Sequence, residues 1–488
     1  MTYRTPGVYV EEIATFPPSV AEVESAIPAF IGFTEFSKKD GADTSDPIQI
    51  NSLKEYEQYF GMAKEEDGAG FDITVNEKQD TNGNATGFEL SYKATATISH
   101  YRLYYAMQIF FANGGGKCYV VSAGKYSDAI TEPLLSAGVD KIKLLDEPTI
   151  LVIPEAVSLA SAPHLTVCSN ALTQAHNLKD RFAILDVKIA NPSKKEFDNA
   201  DITAFRALSN ENEFLRYGAA YYPYLLTTIN YKVKVDNLII TTVLLNGNAP
   251  AAPAVPPAPP TPQPHIAAGA TIGSLKATNN VAYNALLSEV NAKLNVILPP
   301  SAAMAGIYAR VDNDRGVWKA PANVGVNYVS APSVIIDNDT QGDLNIDSLA
   351  GKSINVIRSF SGRGTIVWGA RTLDGNSNEW RYINVRRFFN MVEESVQKST
   401  VWAVFEPNTK NTWVMVKSMI ENYLITKWQQ GALAGAKPDD AFFVKVGLGE
   451  TMTAQDVLNG IMNVEIGLAV ARPAEFIILK FSHKLQVS

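Results

Sequence analysis

The chain alternates apolar stretches with polar turns over most of its 488 residues, and two apolar stretches at its ends stand apart. Near the start, Val8, Tyr9 and Val10 favour extended structure, while prolines at 6, 17 and 18 oppose helix on both sides. Near the end, residues 476–481 are apolar on both faces and follow a break at Pro473. A short strand isolated by proline is stable only within a sheet, and that sheet can belong to another molecule.

Elsewhere the spacing of apolar residues predicts secondary structure directly. Short apolar runs between turn residues predict strands at 26–36, 118–121, 149–153, 182–187, 217–226, 354–360, 365–369, 442–446 and 462–470. Apolar residues at helical spacing predict helices at 101–111, 165–181, 282–294, 385–396 and 411–430. Strands alternating with helices after residue 148 indicate an α/β layer with a partly parallel sheet.

Two segments interrupt this pattern. Residues 64–97 are polar and glycine-rich, and Asn82 with Gly83 separates two alternating stretches, which predicts a surface insertion carrying a β-hairpin. Eight of the fifteen residues from 250 to 264 are proline, so this segment must be a surface loop of polyproline type. We favour an insertion over a domain linker, because helical sequence resumes soon afterwards.

Composition limits the class of protein. The chain is 46% apolar and 19% charged, contains no apolar run long enough to span a bilayer, and has no signal-peptide pattern. We therefore expect that the protein does not insert directly into a membrane and that it assembles in the cytoplasm. A net charge of −8 gives no reason to expect nucleic-acid binding. The two cysteines, Cys118 and Cys168, exclude a disulfide framework and are expected in cores.

The sequence contains no complete motif for catalysis or for binding a cofactor. Lys352 and Ser353 follow a glycine as in a phosphate loop, but the preceding glycine is missing and a strand follows. The five histidines lack metal-ligand spacing, and no nucleophile elbow occurs. We expect no cofactor and no metal. Arg386 and Arg387 could bind an acidic partner, but a solvated helical face is the favoured interpretation.

Six segments in order along the chain resemble the contractile tail sheath protein family, which includes myophage tails, pyocin-like particles and phage-tail-like contractile injection systems. They are TPGVYVEE at 5–12, AIPAFIGFT at 26–34, FFANGGGKCYVV at 110–121, GTIVWGARTL at 364–373, YINVRR at 382–387 and RPAEFI at 472–477. The resemblance implies a non-enzymatic subunit of a helical sleeve of stacked hexameric rings. The sleeve surrounds an inner tube and contracts to drive the tube through a target envelope.

The resemblance also implies a fold and its divisions. We expect a mixed α/β and α+β multidomain sheath fold, with an N-terminal strand arm at 1–25 and a first segment at 26–125 carrying an insertion near 61–97. A middle α/β domain at 126–350 would carry the proline-rich loop at 249–265. A C-terminal α+β core at 351–474 and a C-terminal strand arm at 475–488 complete the chain.

In this family both arms donate strands to the sheet of a neighbouring copy. The residues expected to do so here are Val8, Tyr9, Val10, Phe476, Ile477, Ile478, Leu479 and Phe481. Residues 13–25 then form a linker that reaches about 43 Å when extended, so subunits can move while the strand stays paired. A polar helical face with Lys417, Glu421 and Lys427 is expected to contact the inner tube.

The expected partners are other copies of the chain, the inner tube protein, and baseplate and cap proteins. The particle would be a phage tail or a phage-tail-like particle, with extracellular release as a further option. Two alternatives remain open. The chain could be another structural part of the same machine, such as a cap or baseplate component, or, more remotely, an α/β enzyme of the hydrolase type.

Overall fold

The computed structural model describes residues 19–95, 97–192, 194–250 and 263–479. The predicted strand at 8–10, most of the proline-rich segment and the end of the C-terminal arm lie outside these residues. The chain forms two compact units. The large unit comprises the described residues between 25 and 386, and the small unit combines residues 19–24 with residues 387–479.

The large unit is a mixture of strands and helices. Its strands are β1 Pro28–Thr34, β2 Lys38–Lys39, β3 Ala42–Asp43, β4 Ile48–Ile50, β5 Phe71–Gln79, β6 Ala85–Ala94, β7 Cys118–Lys125, β8 Ile150–Val152, β9 Phe182–Asp186, β10 Gly218–Tyr222, β11 Leu225–Asn230, β12 Ile240–Leu245, β13 Asn295–Leu298, β14 Val329–Pro332, β15 Ile354–Phe360 and β16 Gly364–Val367. Its helices are α1 Leu53–Phe60, α2 Leu103–Ala112, α3 Glu132–Ile142, α4 Ser161–Leu178, α5 Asn199–Arg206, α6 Asn212–Leu215, α7 Leu275–Thr278, α8 Asn280–Lys293, α9 Ser301–Arg315 and α10 Asn338–Asn345.

The small unit is built mainly from the C-terminal part of the chain. Its elements are the greater part of α11 Ile383–Ser399, then α12 Lys410–Gln429, α13 Pro438–Ala441, β17 Phe442–Lys445, α14 Ala454–Leu458 and β18 Glu465–Leu468. The predicted helices and strands of both units are confirmed, with shifts of a few residues at their ends and one exception. Among the described residues, no helix is long and apolar enough to cross a membrane.

An eight-stranded sheet organises the large unit, in the order β16-β15-β10-β9-β8-β1-β7-β4. The six central strands run parallel, and β4 and β16 pair antiparallel at the two edges. Helices cover both faces: α2 and α9 pack on side chains such as Phe30 and Tyr221, and α3 and α4 on side chains such as Ile31 and Leu185. Because both faces are covered, the central strands are mainly apolar, and polar residues such as Asp186 and Asn355 are buried among them.

The predicted divisions at 125/126 and 350/351 both fall within this one sheet. Strands β1 and β7 precede the first division, and β15 and β16 follow the second. Parallel neighbours are joined by crossover connections, so strands that pair lie far apart in the sequence. The spacing of apolar residues does not show which strands pair. The two compact units divide between Arg386 and Arg387.

The exception concerns residues 217–226, which were predicted as one strand. They form β10, in the eight-stranded sheet, and β11, which pairs antiparallel with β13 and β14 in another. The two strands meet at Tyr222 and Pro223, which are joined by a cis peptide bond. Proline has no backbone N–H to donate to a ladder, so the first strand ends before it. The single-strand prediction is wrong for this reason.

The insertion near 61–97 forms the predicted hairpin from β5 and β6, with Gly83 in a left-handed conformation at the turn. Strand β12 adds to β5 in parallel, and α8 packs against this three-stranded sheet. Residues on both sides of the proline-rich segment, among them Val243 and Ile266, belong to one apolar cluster. The proline-rich segment therefore connects two parts of the same unit, as expected for an insertion and not for a domain linker.

Candidate assembly site

The small unit exposes the edge of a strand. Strands β17 and β18 form a two-stranded antiparallel sheet, and within the described ranges no strand lies on the other edge of β18. The backbone N–H of Ala469 donates to the carbonyl of Ala441. Backbone groups alternate between edges along a strand, so those of Gly467 face β17 and those of Ile466 and Leu468 face the open edge. This edge can accept a further strand.

An apolar groove of about 850 Å³ lies beside this edge. It is enclosed by α11, α12 and β18, and Val392, Val416 and Ile420 contribute buried side chains to it. The side chains of Ile466 and Leu468 line the same groove. The same two residues therefore present apolar side chains to the groove and backbone groups to the open edge.

The connection between α11 and α12 forms an apolar rim of the groove. Val401 and Val404 are more than half exposed, and Phe405 is fully exposed. Phe405 also has a φ of 70°, a left-handed conformation that is unfavourable for a bulky side chain. A cluster of large, solvent-exposed apolar side chains is typical of a surface that contacts another molecule.

The outer face of the small sheet depends on a glycine. Gly467 lies opposite Phe443 in the β17–β18 pair, and a Cβ at Gly467 would lie 2.1 Å from Cε1 of the Phe443 ring. The Nζ of Lys445 lies 4.9 Å from the centre of that ring. The ring therefore packs over the glycine, and a larger side chain at position 467 would displace it.

The residues predicted to donate strands are described only in part. Residues 471–479 form no strand with the described part of the chain. Their large apolar side chains, Phe476, Ile477, Ile478 and Leu479, are 68%, 79%, 80% and 72% exposed. The remaining predicted donors, Val8, Tyr9, Val10 and Phe481, lie outside the described residues. Strand donation stays a prediction.

The structure divides the predicted tube-facing residues. Lys417 and Glu421 lie one turn apart on α12 and form a half-exposed ion pair at 3.9 Å. Lys427 is only 3% exposed, and its Nζ pairs with the carboxylate of Glu22. Ten residues separate Lys427 from Lys417, which places it about 80° away around the helix. Lys427 does not share the polar face, and tube contact stays a prediction for the other two residues.

The interpretation of Arg386 and Arg387 as a solvated face is wrong. Both side chains are buried, at 2% and 3% exposure. The Arg386 guanidinium lies 4.3 Å from the ring centre of Trp380 and 4.8 Å from that of Tyr217. A planar guanidinium stacks well on aromatic rings, which offsets the loss of water. Neither aromatic residue lies three or four positions from Arg386 in the sequence, so the helical pattern did not indicate the contact.

A buried cysteine and histidine meet in the large unit, one turn apart on α4. The Sγ of Cys168 lies 3.5 Å from Nε2 of His164. Burial raises the pKa of the Cys168 thiol well above its usual range and lowers the pKa of His164 to about 4. At neutral pH both groups are uncharged, whereas a catalytic pair needs a thiolate. No group of three potential metal-binding side chains is present in the ranges that the structure describes.

Glu155 is a buried carboxylate that the sequence did not single out. It accepts hydrogen bonds from the backbone N–H groups of Phe33 and Arg102, both at 2.7 Å, and of Leu103 at 3.0 Å. It thus joins the end of β1 to the start of α2, where the helix dipole favours a negative charge. Burial nevertheless raises the pKa of Glu155 to about 7, against the effect of these hydrogen bonds.

Comparison with known proteins supplies the family. Models of the phage tail sheath protein central domain and of the phage tail sheath C-terminal domain match residues 194–373 and 376–484. The helical sheath of the anti-feeding prophage (AFP), solved in its contracted state, is 30% identical, with a TM-score of 0.61 and coverage of 99% of this chain and 100% of that chain. The chain belongs to the phage tail sheath family.

Two other relatives agree with this membership. The contracted sheath complex of PVC, an extracellular contractile injection system, is 29% identical, covers 99% of both chains and has a TM-score of 0.62. The tail sheath protein of Enterobacteria phage T4 is 30% identical over 131 residues, which are 27% of this chain and 20% of that protein. The match therefore spans about a fifth of the length of that curated relative.

The sheath family match places the candidate site within one domain. Every residue that lines the groove lies between 389 and 468, inside the match to the sheath C-terminal domain. The match to the sheath central domain lies entirely in the large unit. The open edge, the apolar groove and the exposed C-terminal segment thus belong to the sheath C-terminal domain.

Proposed function

We propose that this chain is the structural subunit of a contractile sheath. It polymerises as a helical sleeve of stacked hexameric rings around an inner tube, and it contracts to drive the tube through a target cell envelope. The observation that carries the proposal is the open β18 edge beside an apolar groove, in a chain whose C-terminal segment is apolar and exposed. The AFP and PVC relatives are sheaths in a contracted state.

Strand donation explains how copies hold one another. A donated strand pairs with the backbone groups of Ile466 and Leu468 and buries its apolar side chains in the groove. Each backbone hydrogen bond contributes about 1 kcal/mol, and each buried apolar side chain about 1.5–3 kcal/mol. Ordering the arm costs about 1–2 kcal/mol per residue. The net free energy of adding one donated strand is therefore close to zero. Only an assembly in which each copy both donates and accepts a strand is stable.

Contraction needs no nucleotide in this account. The extended sleeve is a metastable arrangement, and new contacts between subunits release free energy when the sleeve shortens. The chain acts as a structural protein and not as an enzyme, in keeping with the uncharged state of Cys168 and His164.

The remaining partners follow from the role of a sleeve. The half-exposed pair of Lys417 and Glu421 on α12 faces the inner tube, and the ends of the sleeve meet baseplate and cap proteins. Assembly takes place in the cytoplasm, and the product is a phage tail or a phage-tail-like particle open to extracellular release.

Deletion of residues 1–18 tests the proposal. The large unit of the variant should fold, because its apolar clusters are built from residues after 25. The variant should fail to polymerise, because one donor strand is lost. A matched control deletes residues 251–262 of the proline-rich segment, which should leave polymerisation intact. Electron microscopy and sedimentation give the result. Long hollow cylinders from the variant lacking residues 1–18 would overturn the role of the arm.

A further inference from the structure

Residues 19–24 run along the helices of the small unit. The backbone N–H of Ala21 donates to Oγ of Ser399 at 3.0 Å, and that of Val23 donates to Oγ of Ser395 at 3.1 Å. Val20 is buried, at 6% exposure. The segment is therefore fixed to α11 by two hydrogen bonds, and its Val20 side chain is shielded from water.

The register of these contacts is set by geometry. Two residues of extended chain advance about 6.6 Å, and four residues of helix advance about 6.0 Å. Serines four apart on a helix thus match alternate amides of an extended segment. Ala21 meets Ser399 and Val23 meets Ser395, so the segment runs antiparallel to α11.

An ion pair fixes the same segment to α12. The Nζ of Lys427 pairs with the Glu22 carboxylate and also donates to Oε1 of Gln430 at 3.1 Å. Lys427 is 3% exposed, and a buried ammonium without a carboxylate partner is unfavourable. Glu22 lies between the two residues that bond to the serines, so the three contacts act on one short stretch of chain.

We propose that these contacts form a clasp, in which Ser395, Ser399 and Lys427 hold Ala21, Glu22 and Val23 and set the point where the N-terminal arm leaves the protein. The inference rests on the proposed donation of that arm. The free linker then ends near residue 19 and not near residue 25. Its reach when extended falls from about 43 Å for residues 13–25 to about 23 Å for residues 13–19. A pull on the arm acts on α11 and α12, the two helices that enclose the groove.

Hydrogen exchange in the purified full-length monomer tests the clasp. We expect the amides of Ala21 and Val23 to be protected, and exchange to accelerate about tenfold or more in Lys427→Met. The matched control is Lys417→Met, on the exposed face of the same helix, which should leave exchange unchanged. The charge swap Glu22→Lys with Lys427→Glu should restore protection.

Two results would overturn the clasp: full-rate exchange at residues 19–24 in the unaltered protein, or unchanged exchange in folded Lys427→Met. If Lys427→Met does not fold, the double variant Ser395→Ala and Ser399→Ala removes the acceptors without exposing a buried charge, and it should also accelerate exchange. Failure of the proposed function would look different. Polymerisation after deletion of residues 1–18, with Ala21 and Val23 still protected, would reject arm donation and leave the clasp standing.

Discussion

Single buried polar residues fix elements of this chain that sequence patterns treat separately. Glu155 joins β1 to α2, and Lys427 joins α12 to the N-terminal segment. Neither role could be predicted from the sequence, because a charged residue on a helix or in a loop is usually solvated. The apolar pattern predicted α12 correctly but assigned Lys427 to the wrong face.

Glu155 should make the large unit less stable as the pH rises. The pKa of Glu155 is about 7 in the folded protein against an ordinary 4.5, so the folded chain keeps a proton that the unfolded chain releases. The stabilisation from this proton is fully present below about pH 4.5 and is lost progressively as the pH rises from about 4.5 to about 7. In Glu155→Gln the fall should be shallower, by up to about 1.4 kcal/mol per pH unit.

Urea unfolding of both proteins at several pH values between about 5 and about 7 measures this difference. Burial also raises the pKa of Asp186 to about 7, and that carboxylate is unchanged in the variant. The slope should therefore decrease without vanishing. Identical slopes in the two proteins would contradict the account of Glu155.

At the scale of elements, the β17–β18 pair depends on Gly467 beneath Phe443. Gly467→Ala should displace the ring and destabilise the small unit by about 1 kcal/mol or more. Combining it with Phe443→Ala should add less than the sum of the two single effects, because the clash is then absent. Gly87→Ala, where no atom lies within 4 Å of the new Cβ, is the control. Additive effects on urea unfolding would contradict the contact.

Apolar side chains that line the groove should control polymerisation. Ile466→Gln should leave the monomer folded but raise the concentration needed for polymerisation by about tenfold or more, since a donated strand loses an apolar contact. The neighbouring Glu465→Gln, an exposed position on the opposite face of β18, is the control. Light scattering against protein concentration measures both. Equal concentrations for the two variants would argue against the groove as the binding site.

For the whole molecule, the sequence predicted elements better than their assembly. Helices such as α11 and α12 and strands such as β1 and β15 followed from local spacing. The sheet order did not, because pairing between distant strands leaves no local pattern. For the candidate site, the apolar C-terminal segment was recognisable, whereas the groove arises only when α11, α12 and β18 fold together. The segment at 19–24 was predicted as free linker and instead contacts Ser395 and Ser399.

In the assembled polymer, other copies of this chain should complete the sheet of the small unit. The most direct measurement is a cryo-electron microscopy map of the assembled polymer at a resolution that traces the backbone. We predict a strand beside β18, bonded to Ile466 and Leu468, that traces to residues 1–18 or 475–488 of a different copy. Assembled sleeves in which this edge has no strand, or is paired by the same copy, would rule out strand donation between copies.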